Sequence, residues 1–281
     1  GSVDSVYGAA SGTTIGGDVN ISVQNATVSS ITAGGCGISN GAIPAVVNGS
    51  TNIVIGSNAV ISNNVYGGGW GDGASWPSVI KGNSNITLVG NATVGGTITG
   101  TGWNSEYDIV EGVKTLNLGT SEQAYNGTSA LKVANFDKIN VSAGSTAQIE
   151  SITQNLSGSI LGTRTSIAKG GKLEVLGDVV NNITDATNED SFVGGLTGGE
   201  AVVSGTVKTV IDGENTALHF VYGGNGGNQQ TVLGRTEPIG TSKVGAVELT
   251  VNNGKIDMIV ASGAMYSDVD GNVSLNINGG S

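Results

Sequence analysis

The stretch Val47–Gly69, V-N-G-S-T-N-I-V-I-G-S-N-A-V-I-S-N-N-V-Y-G-G-G, decides the fold, because imperfect copies of it recur along the chain. The clearest copies cover Gly17–Val28 and Lys81–Gly96, and looser copies cover Lys243–Gly263 and Asp270–Gly280. The clearest copies follow one another at about 25 to 35 residues, a period that is typical of solenoids and repeat arrays. The sequence therefore predicts one structural unit that is repeated many times.

Each copy has the pattern of a short strand, a turn, a second short strand and a glycine-rich corner. In N-I-V-I, Ile53 and Ile55 alternate with Val54, which is the period-2 pattern of a strand built from β-branched residues. Frequent Asn and Gly then favour chain reversal and leave no room for a helix of ordinary length. We expect one member of each equivalent pair to join a continuous aliphatic stack, the pairs being Ile21 and Val23, Ile53 and Ile55, Ile86 and Leu88, and Leu249 and Val251.

Composition favours the same architecture. Glycine supplies 49 of 281 residues, proline only three, and aromatic residues only 4 %, so the core must consist of Val, Ile, Leu and Ala. A coil of stacked strands needs only inward aliphatic residues and small residues at its corners. We predict an all-β parallel β-helix (β-solenoid) with turns of roughly 20 to 25 residues, by analogy with other repeats of this class, and about a dozen turns.

We expect residues 1–281 to form a single β-solenoid segment, with irregular insertions at about 70–80, 102–130 and 182–199. Residues 1–2 look like a cloning remnant, and the chain ends inside a fresh repeat at Asn276–Ser281. The expectation is therefore a segment excised from a longer protein.

Charge and cysteine content exclude several classes. The net charge is −11, from 22 acidic and 11 basic residues without a Lys/Arg cluster, which disfavours nucleic acid and anionic membranes as partners. The apolar runs are too short to insert into a membrane. The single Cys36 excludes an intramolecular disulfide and is interpreted as a small buried residue. Ten N-x-S/T triplets are interpreted as outward Asn and Thr positions, with Asn stacked in ladders, rather than as glycosylation sites.

Several segments resemble the passenger repeats of bacterial autotransporter adhesins and related surface β-helix proteins. The resemblance is carried by Asp18–Val23, Asn85–Val94 and the V-Y-G-G-G corner, and Phe136–Ile149 and Ser166–Gly177 are similar to rungs of that family. It covers most of the chain and is weakest at about 102–130 and 182–199. It implies a right-handed, single-stranded parallel β-helix, export to the surface of a Gram-negative-type cell, and a translocator barrel outside this segment.

The sequence contains only weak candidates for catalytic or metal-binding motifs. His219 is the only histidine and is expected on a strand that faces a groove or solvent. Asp268–Asn272 resembles the start of a calcium loop, but Gly279 stands where a bidentate acid is needed. Two carboxylate clusters, one at Glu106, Asp108 and Glu111 and one at Glu189 and Asp190, are weak evidence on their own. We predict no catalytic residues, no metal and no cofactor.

The candidate binding residues are aromatic. All three tryptophans lie within 34 residues, in the segments where the repeat is interrupted, and Tyr107 follows closely. Either they pack beneath a loop or they form a contact surface for a sugar or a protein. The predicted ligand-binding residues are Trp70, Asp72, Trp76, Trp103, Asn104 and Tyr107.

The sequence thus predicts a non-catalytic extracellular adhesin segment on a bacterial cell surface, outer membrane-anchored or secreted. Its partner would be a glycan or protein of a host or neighbouring cell, or a second copy of itself. A polysaccharide-acting enzyme is the alternative, and a structural stalk that displays another domain is the third interpretation. A cleft with two carboxylates about 5 to 10 Å apart would favour glycoside hydrolysis, whereas a polar face with an aromatic patch would favour binding.

Overall fold

The computed structural model describes residues 1–39, 42–71, 73–104, 106–227, 229–232 (backbone only), 235–264 and 266–281. Within these ranges the protein is all-β without a helix, and its parallel strands stack as a β-solenoid of about eight turns. The predicted fold class is confirmed. Among these residues no helix has the length and apolar character that are needed to cross a membrane.

The chain divides into two compact units, Gly1–Asn140 and Val141–Ser281. The strands of the first unit, of which the last extends one residue beyond its boundary, are β1 Ser2–Tyr7, β2 Thr14–Ile15, β3 Val19–Gln24, β4 Thr27–Thr32, β5 Ala45–Val47, β6 Thr51–Gly56, β7 Val60–Ile61, β8 Val65–Tyr66, β9 Ser78–Ile80, β10 Ser84–Leu88, β11 Thr93–Val94, β12 Thr97–Thr99, β13 Asp108–Val110, β14 Lys114–Leu118, β15 Lys132–Ala134 and β16 Lys138–Val141.

The strands of the second unit are β17 Thr146–Ile149, β18 Ile152–Ser159, β19 Thr165–Val175, β20 Val179–Val193, β21 Thr197–Asp212, β22 Ala217–Tyr222, β23 Gln229–Val232, β24 Arg235–Pro238, β25 Ser242–Val251, β26 Lys255–Val260, β27 Asp268–Val269 and β28 Val273–Ile277.

Three parallel sheets build the first unit. One contains β3, β6, β10 and β14 in that order, and a second contains β2, β5, β9 and β13. The third contains β1, β4, β7, β8, β11, β12 and β15. In the first sheet Asn20 pairs with Asn52, Asn52 with Asn85, and Asn85 with Thr115. These steps of 32, 33 and 30 residues are the length of a turn.

The turns of the second unit are of similar length with one exception. Val179 pairs with Val207, Val207 with Val247, and Val247 with Val273, which are steps of 28, 40 and 26 residues. The long step contains the antiparallel hairpin of β23 and β24. The prediction of about a dozen turns of 20 to 25 residues was therefore wrong, because most turns are longer and the structure has about eight of them.

Both members of each predicted core pair face inward, which corrects the expectation that only one does. Ile53, Ile55, Ile86 and Leu88 are at most 1 % exposed, while Val54 between the first two is half-buried on the outer face. The reason is that residues i and i+2 of a strand lie on the same face. Two adjacent aliphatic columns thus run through the turns of this unit.

The glycine of the V-Y-G corners is required by the close approach of the next turn. A Cβ on Gly67 would lie 2.0 Å from Ser84 Oγ, and a Cβ on Gly223 would lie 2.2 Å from the carbonyl oxygen of Ala261. Any larger residue would therefore push two turns apart and break their backbone hydrogen bonds.

Asparagine ladders lie on the outer faces, which confirms the predicted stacking of Asn from turn to turn. Asn85 Nδ2 donates to Asn52 Oδ1 at 2.9 Å, and Asn52 Nδ2 donates to Asn20 Oδ1 at 3.0 Å. In the second unit Asn182 Nδ2 donates to Asn155 Oδ1 at 2.9 Å. The side-chain amides thus pair from turn to turn like the backbone.

The prediction of an irregular insertion at 182–199 was wrong, since these residues belong largely to β20 and β21. Ile183, Ala186 and Phe192 are buried, and the polar residues between them face outward or occupy a bulge. Of the other two predicted insertions, 70–80 ends in β9, and 102–130 contains β13 and β14.

Ile53→Asp and Ile55→Asp should each lower the melting temperature strongly, because each places an uncompensated charge in the core and the neighbouring turns depend on the same column. Thermal unfolding followed by circular dichroism measures the effect. Val54→Asp in the same strand is the matched control and should change the melting temperature little. Equal melting temperatures for all three variants and the parent would contradict the arrangement of the core.

Candidate functional site

Two exposed tryptophans form a pair on the surface of the first unit. Trp70 follows the glycine corner Gly67–Gly69, and Trp103 follows the equivalent corner one turn later. Their side chains are 43 % and 57 % exposed, and their ring centroids lie 5.2 Å apart with an interplanar angle of 48°. Each indole therefore shields part of its neighbour and leaves its outer side open to solvent.

The backbone places the two indoles at matching positions of consecutive turns. Trp70 forms a parallel bridge with Cys36 of the preceding turn, and the N–H of Gly37 donates to the carbonyl oxygen of Trp70 at 2.9 Å. The N–H of Trp103 donates to the carbonyl oxygen of Gly69 at 3.2 Å. The spacing of 33 residues between the tryptophans is one turn, so the period of the repeat is the sequence signal for their pairing.

A buried carboxylate joins the two loops that carry the tryptophans. Asp108, at the start of β13, is 1 % exposed. Its Oδ1 accepts a hydrogen bond from the N–H of Gly71, and its Oδ2 accepts one from the N–H of Asn104 at 2.6 Å. Each donor is the residue that directly follows a tryptophan. One side chain thus fixes the peptide after Trp70 and the peptide after Trp103.

This carboxylate replaces a backbone acceptor. One turn earlier, the N–H that follows the bridge residue Cys36 donates to a carbonyl oxygen of the next turn, Gly37 to Trp70. The equivalent N–H of Gly71 donates to Asp108 instead. The regular ladder therefore ends at this point, which lets the loop of Trp103 depart from the path of the preceding turn.

Burial raises the pKa of Asp108 to about 6, although the amide hydrogen bonds from Asn104 and Gly71 lower it. Desolvation penalises the charged form of a carboxyl group. Of the predicted carboxylate cluster of Glu106, Asp108 and Glu111, Asp108 is buried and Glu106 is exposed.

The other predicted ligand-binding residues have different surroundings. Trp76 is half-buried, and its ring covers Gly73 of its own loop, where a Cβ would lie 2.7 Å from the ring. Asn104 Oδ1 accepts from the N–H of Glu106 at 3.2 Å, so its side chain shapes the loop. Tyr107 is half-buried, and the predicted residue Asp72 lies outside the described residues.

The second unit carries an open groove of about 380 Å³ on the outer face of β20, β22 and β26. Thr187 pairs with Ala217, which pairs with Lys255, and the small side chain of Ala217 leaves the concavity between them. Glu189 also lines the groove, in a bulge of β20 between Asn188 and Ser191. The prediction that His219 faces a groove or solvent is confirmed, since it lines the same groove.

A histidine and an aspartate that line this groove contact each other. His219 Nδ1 and Asp257 Oδ2 are 2.7 Å apart, and the two side chains are 45 % and 49 % exposed. The hydrogen bond from His219 holds the pKa of Asp257 below its ordinary value, and nearby Lys255 lowers it further. These residues are 38 positions apart in sequence, so only the stacking of turns brings them together.

Two further sequence interpretations concern Cys36 and the aspartates near the end of the chain. Cys36 is half-buried rather than buried, and its thiol donates to the carbonyl oxygen of Gly37 at 3.2 Å. Asp268 belongs to β27, which pairs with β25, and Asp270 follows in the turn. Within the described ranges, no group of three or more His, Cys, Asp and Glu side chains is arranged to hold a metal ion.

Comparison of this chain with models of known families, with curated proteins and with solved structures finds no match. The proposed function therefore rests on the geometry of the Trp70–Trp103 pair and of the groove that contains His219.

Asp108 should make stability depend on pH in a defined direction. Its pKa is raised from 3.8 to about 6 in the folded protein, so between these values the folded state binds more protons than the unfolded state. The contribution of Asp108 to stability therefore falls as pH rises from about 4 to about 6. Melting temperatures of the parent and of Asp108→Asn at pH 4 and pH 7 test this.

The difference between the two proteins isolates Asp108 from all other titrating groups. Relative to the parent, Asp108→Asn should be less stable at pH 4 than at pH 7. A difference that stays constant with pH would show that Asp108 titrates normally.

Proposed function

We propose that this chain is a non-catalytic segment of an extracellular bacterial adhesin, and that the Trp70–Trp103 pair is its contact surface for a glycan or protein receptor. The observation that carries the proposal is the pairing of two large indoles, 43 % and 57 % exposed, at equivalent positions of successive turns. In a chain with only three tryptophans, two are kept at the surface.

The chemistry of the pair suits a receptor that has a flat apolar patch and hydrogen-bonding groups. Indole rings offer an apolar face and an N–H donor, and tryptophan is enriched among the residues that dominate binding energy. A pyranose ring or a flat protein patch can lie against the outer side of either indole. The net charge of −11 disfavours an anionic receptor, since charges of like sign repel during approach.

Export and placement on the bacterial surface are supported by the resemblance of the repeats to autotransporter passenger repeats. Attachment to host cells, attachment to neighbouring bacteria and self-association through the same pair are the partners that the proposal includes. A stalk that only displays another domain is supported by the repeat architecture alone.

The groove of the second unit favours a second candidate function, hydrolysis of a polysaccharide. Glu189 and Asp257 lie on β20 and β26, the strands on either side of β22, so their backbones are about 10 Å apart at the usual strand spacing. Inverting glycosidases hold two carboxyl groups about 6.5 to 9.5 Å apart, a separation that side chains on strands two positions apart can span. The lowered pKa of Asp257 opposes an acid role, because glycosidic cleavage needs a protonated carboxyl group. We therefore place binding first.

Trp70→Ala and Trp103→Ala should each weaken receptor binding by about 2 kcal/mol, the loss typical of a central aromatic contact, without lowering the melting temperature. Glycan arrays and cell-adhesion assays with the purified protein measure binding. Tyr7→Ala is the matched control, because Tyr7 is an aromatic residue of the same unit and 58 % exposed. Unchanged adhesion in both tryptophan variants would move the site elsewhere, and a lower melting temperature in both would assign the pair to packing.

The enzymatic alternative makes a separate prediction. If the groove hydrolyses a polysaccharide, the parent releases reducing sugar ends, and Glu189→Gln and Asp257→Asn each abolish the release because one of the two required carboxylates is lost. Glu214→Gln, which changes an exposed carboxylate in a turn outside the groove, should keep full activity. Absence of any release across a panel of neutral and acidic polysaccharides would remove this candidate.

A further inference from the structure

We propose that Asp108 is the positioning residue of the receptor site: its carboxylate locks the loops after Trp70 and Trp103 together and thereby holds the two indoles in one binding surface. Asp108 itself is buried and does not touch the receptor. Its effect on affinity rests on the proposed role of the tryptophan pair, while its effect on the indole geometry does not.

Two hydrogen bonds to Asp108 connect the loops that carry the tryptophans. Gly71 and Asn104 follow the two tryptophans directly and lie on consecutive turns, and their N–H groups donate to the two different oxygens of one carboxylate. Hydrogen bonds to an ionised acceptor are the stronger kind. A displacement of either loop relative to the other would break one of these bonds.

The two loops pack so closely around Asp108 that their backbones have no space for another arrangement. A Cβ on Gly102, next to Trp103, would lie 2.4 Å from Asp108 Oδ2, and a Cβ on Gly71 would lie 2.3 Å from the carbonyl oxygen of Tyr107. Each loop therefore has a glycine where it packs around the Asp108 carboxylate. Both loops pack against Asp108 through backbone, which fixes the indoles more firmly than contacts between flexible side chains.

Burial of the Asp108 carboxylate costs stability. A buried acid is retained where it fixes a specific geometry, and a neutral side chain of similar size would avoid the desolvation cost. The structure gives Asp108 two functions of that kind, as acceptor for Gly71 and as acceptor for Asn104. Both bear on the tryptophan pair.

The primary test uses the optical coupling of the two indoles, which needs no receptor. Two indoles with centroids 5.2 Å apart give an exciton-coupled signal in circular dichroism, and Trp70→Phe or Trp103→Phe identifies that signal by removing one partner. Asp108→Asn presents an NH2 group to one of the two N–H donors and should reduce the exciton signal by more than half, an order-of-magnitude expectation from the loss of one clamp bond.

The matched control is Asp18→Asn. Asp18 Oδ1 also accepts a backbone hydrogen bond from the next turn, from Ser50 at 2.7 Å, but it is not connected to the tryptophan loops. Its substitution should leave the exciton signal unchanged. A full exciton signal in folded Asp108→Asn would overturn the proposal.

A pH titration of the exciton signal in protein that keeps Asp108 covers the case in which Asp108→Asn does not fold. Protonation converts one carboxylate oxygen into a hydroxyl group, so the exciton signal should change with a midpoint near pH 6, the pKa of Asp108. The other titratable groups along the two loops and β13 are Asp72, Glu106, Tyr107, Lys81 and Glu111. A background of Asp72→Asn and Glu106→Gln removes the two loop carboxylates. A signal that stays unchanged while the infrared C=O band of a buried carboxyl group titrates between pH 4 and pH 8 overturns the proposal.

Receptor binding separates this inference from the proposed function. Asp108→Asn should bind the receptor about tenfold more weakly, the factor that corresponds to one lost hydrogen bond to a charged group, while Asp18→Asn binds like the parent. If Trp70→Ala and Trp103→Ala bind like the parent, the proposed function fails, and the exciton signal of Asp108→Asn still decides whether Asp108 positions the pair. If the tryptophan variants lose binding and Asp108→Asn keeps both binding and signal, the inference alone fails.

Discussion

The parallel hydrogen bonding of each turn to the next is the constraint on which the rest of the structure depends. A strand of one turn can satisfy its backbone only if the equivalent strand of the next turn lies one strand spacing away and in register. The glycine of the V-Y-G corner permits that approach, since a Cβ on Gly67 would collide with the neighbouring turn. The alternation of Ile53, Val54 and Ile55 keeps the apolar side chains on the inner face.

Both candidate sites occur where this regularity is interrupted. The tryptophan pair lies on loops that replace part of a sheet, and the carboxylate of Asp108 accepts an N–H that a backbone carbonyl accepts one turn earlier. The groove of the second unit lies next to a bulge at Glu189, and bulges are a common way to redirect side chains near sites. A uniform solenoid would present only repeated polar faces, so the departures from the repeat are where we propose that binding occurs.

The sequence predicted the fold well because the fold depends on local patterns. The repeated N-I-V-I strand and the glycine corners were sufficient for the parallel stack, and the Asn ladder from Asn20 to Asn85 followed from the placement of Asn in each copy. The length of the turn was also present in the spacing of the copies. The predicted turn length was wrong because it was taken from the shorter turns of similar repeats instead of from the spacing of the copies.

The candidate sites were less predictable because they depend on which residues of different turns become neighbours. His219 and Asp257 meet across 38 positions, and pairing them requires the register of β22 and β26. The burial of Asp108 depends on the path of the loop around it, and no pattern in E-Y-D-I-V-E indicates it. The tryptophan pair is an intermediate case, since its spacing equals one turn and could have been found from the repeat.

Hydrogen exchange of the backbone amides tests the account most directly, because it measures the turn-to-turn hydrogen bonds on which the core, the corners and the tryptophan loops depend. Amides of β6 and β10 are expected to exchange slowly and together, as parts of one cooperative unit, while exposed loop amides such as that of Ala74 are expected to exchange rapidly. Rapid exchange in β6 or β10 at a temperature well below unfolding, or slow exchange without relation to the turns, would contradict it.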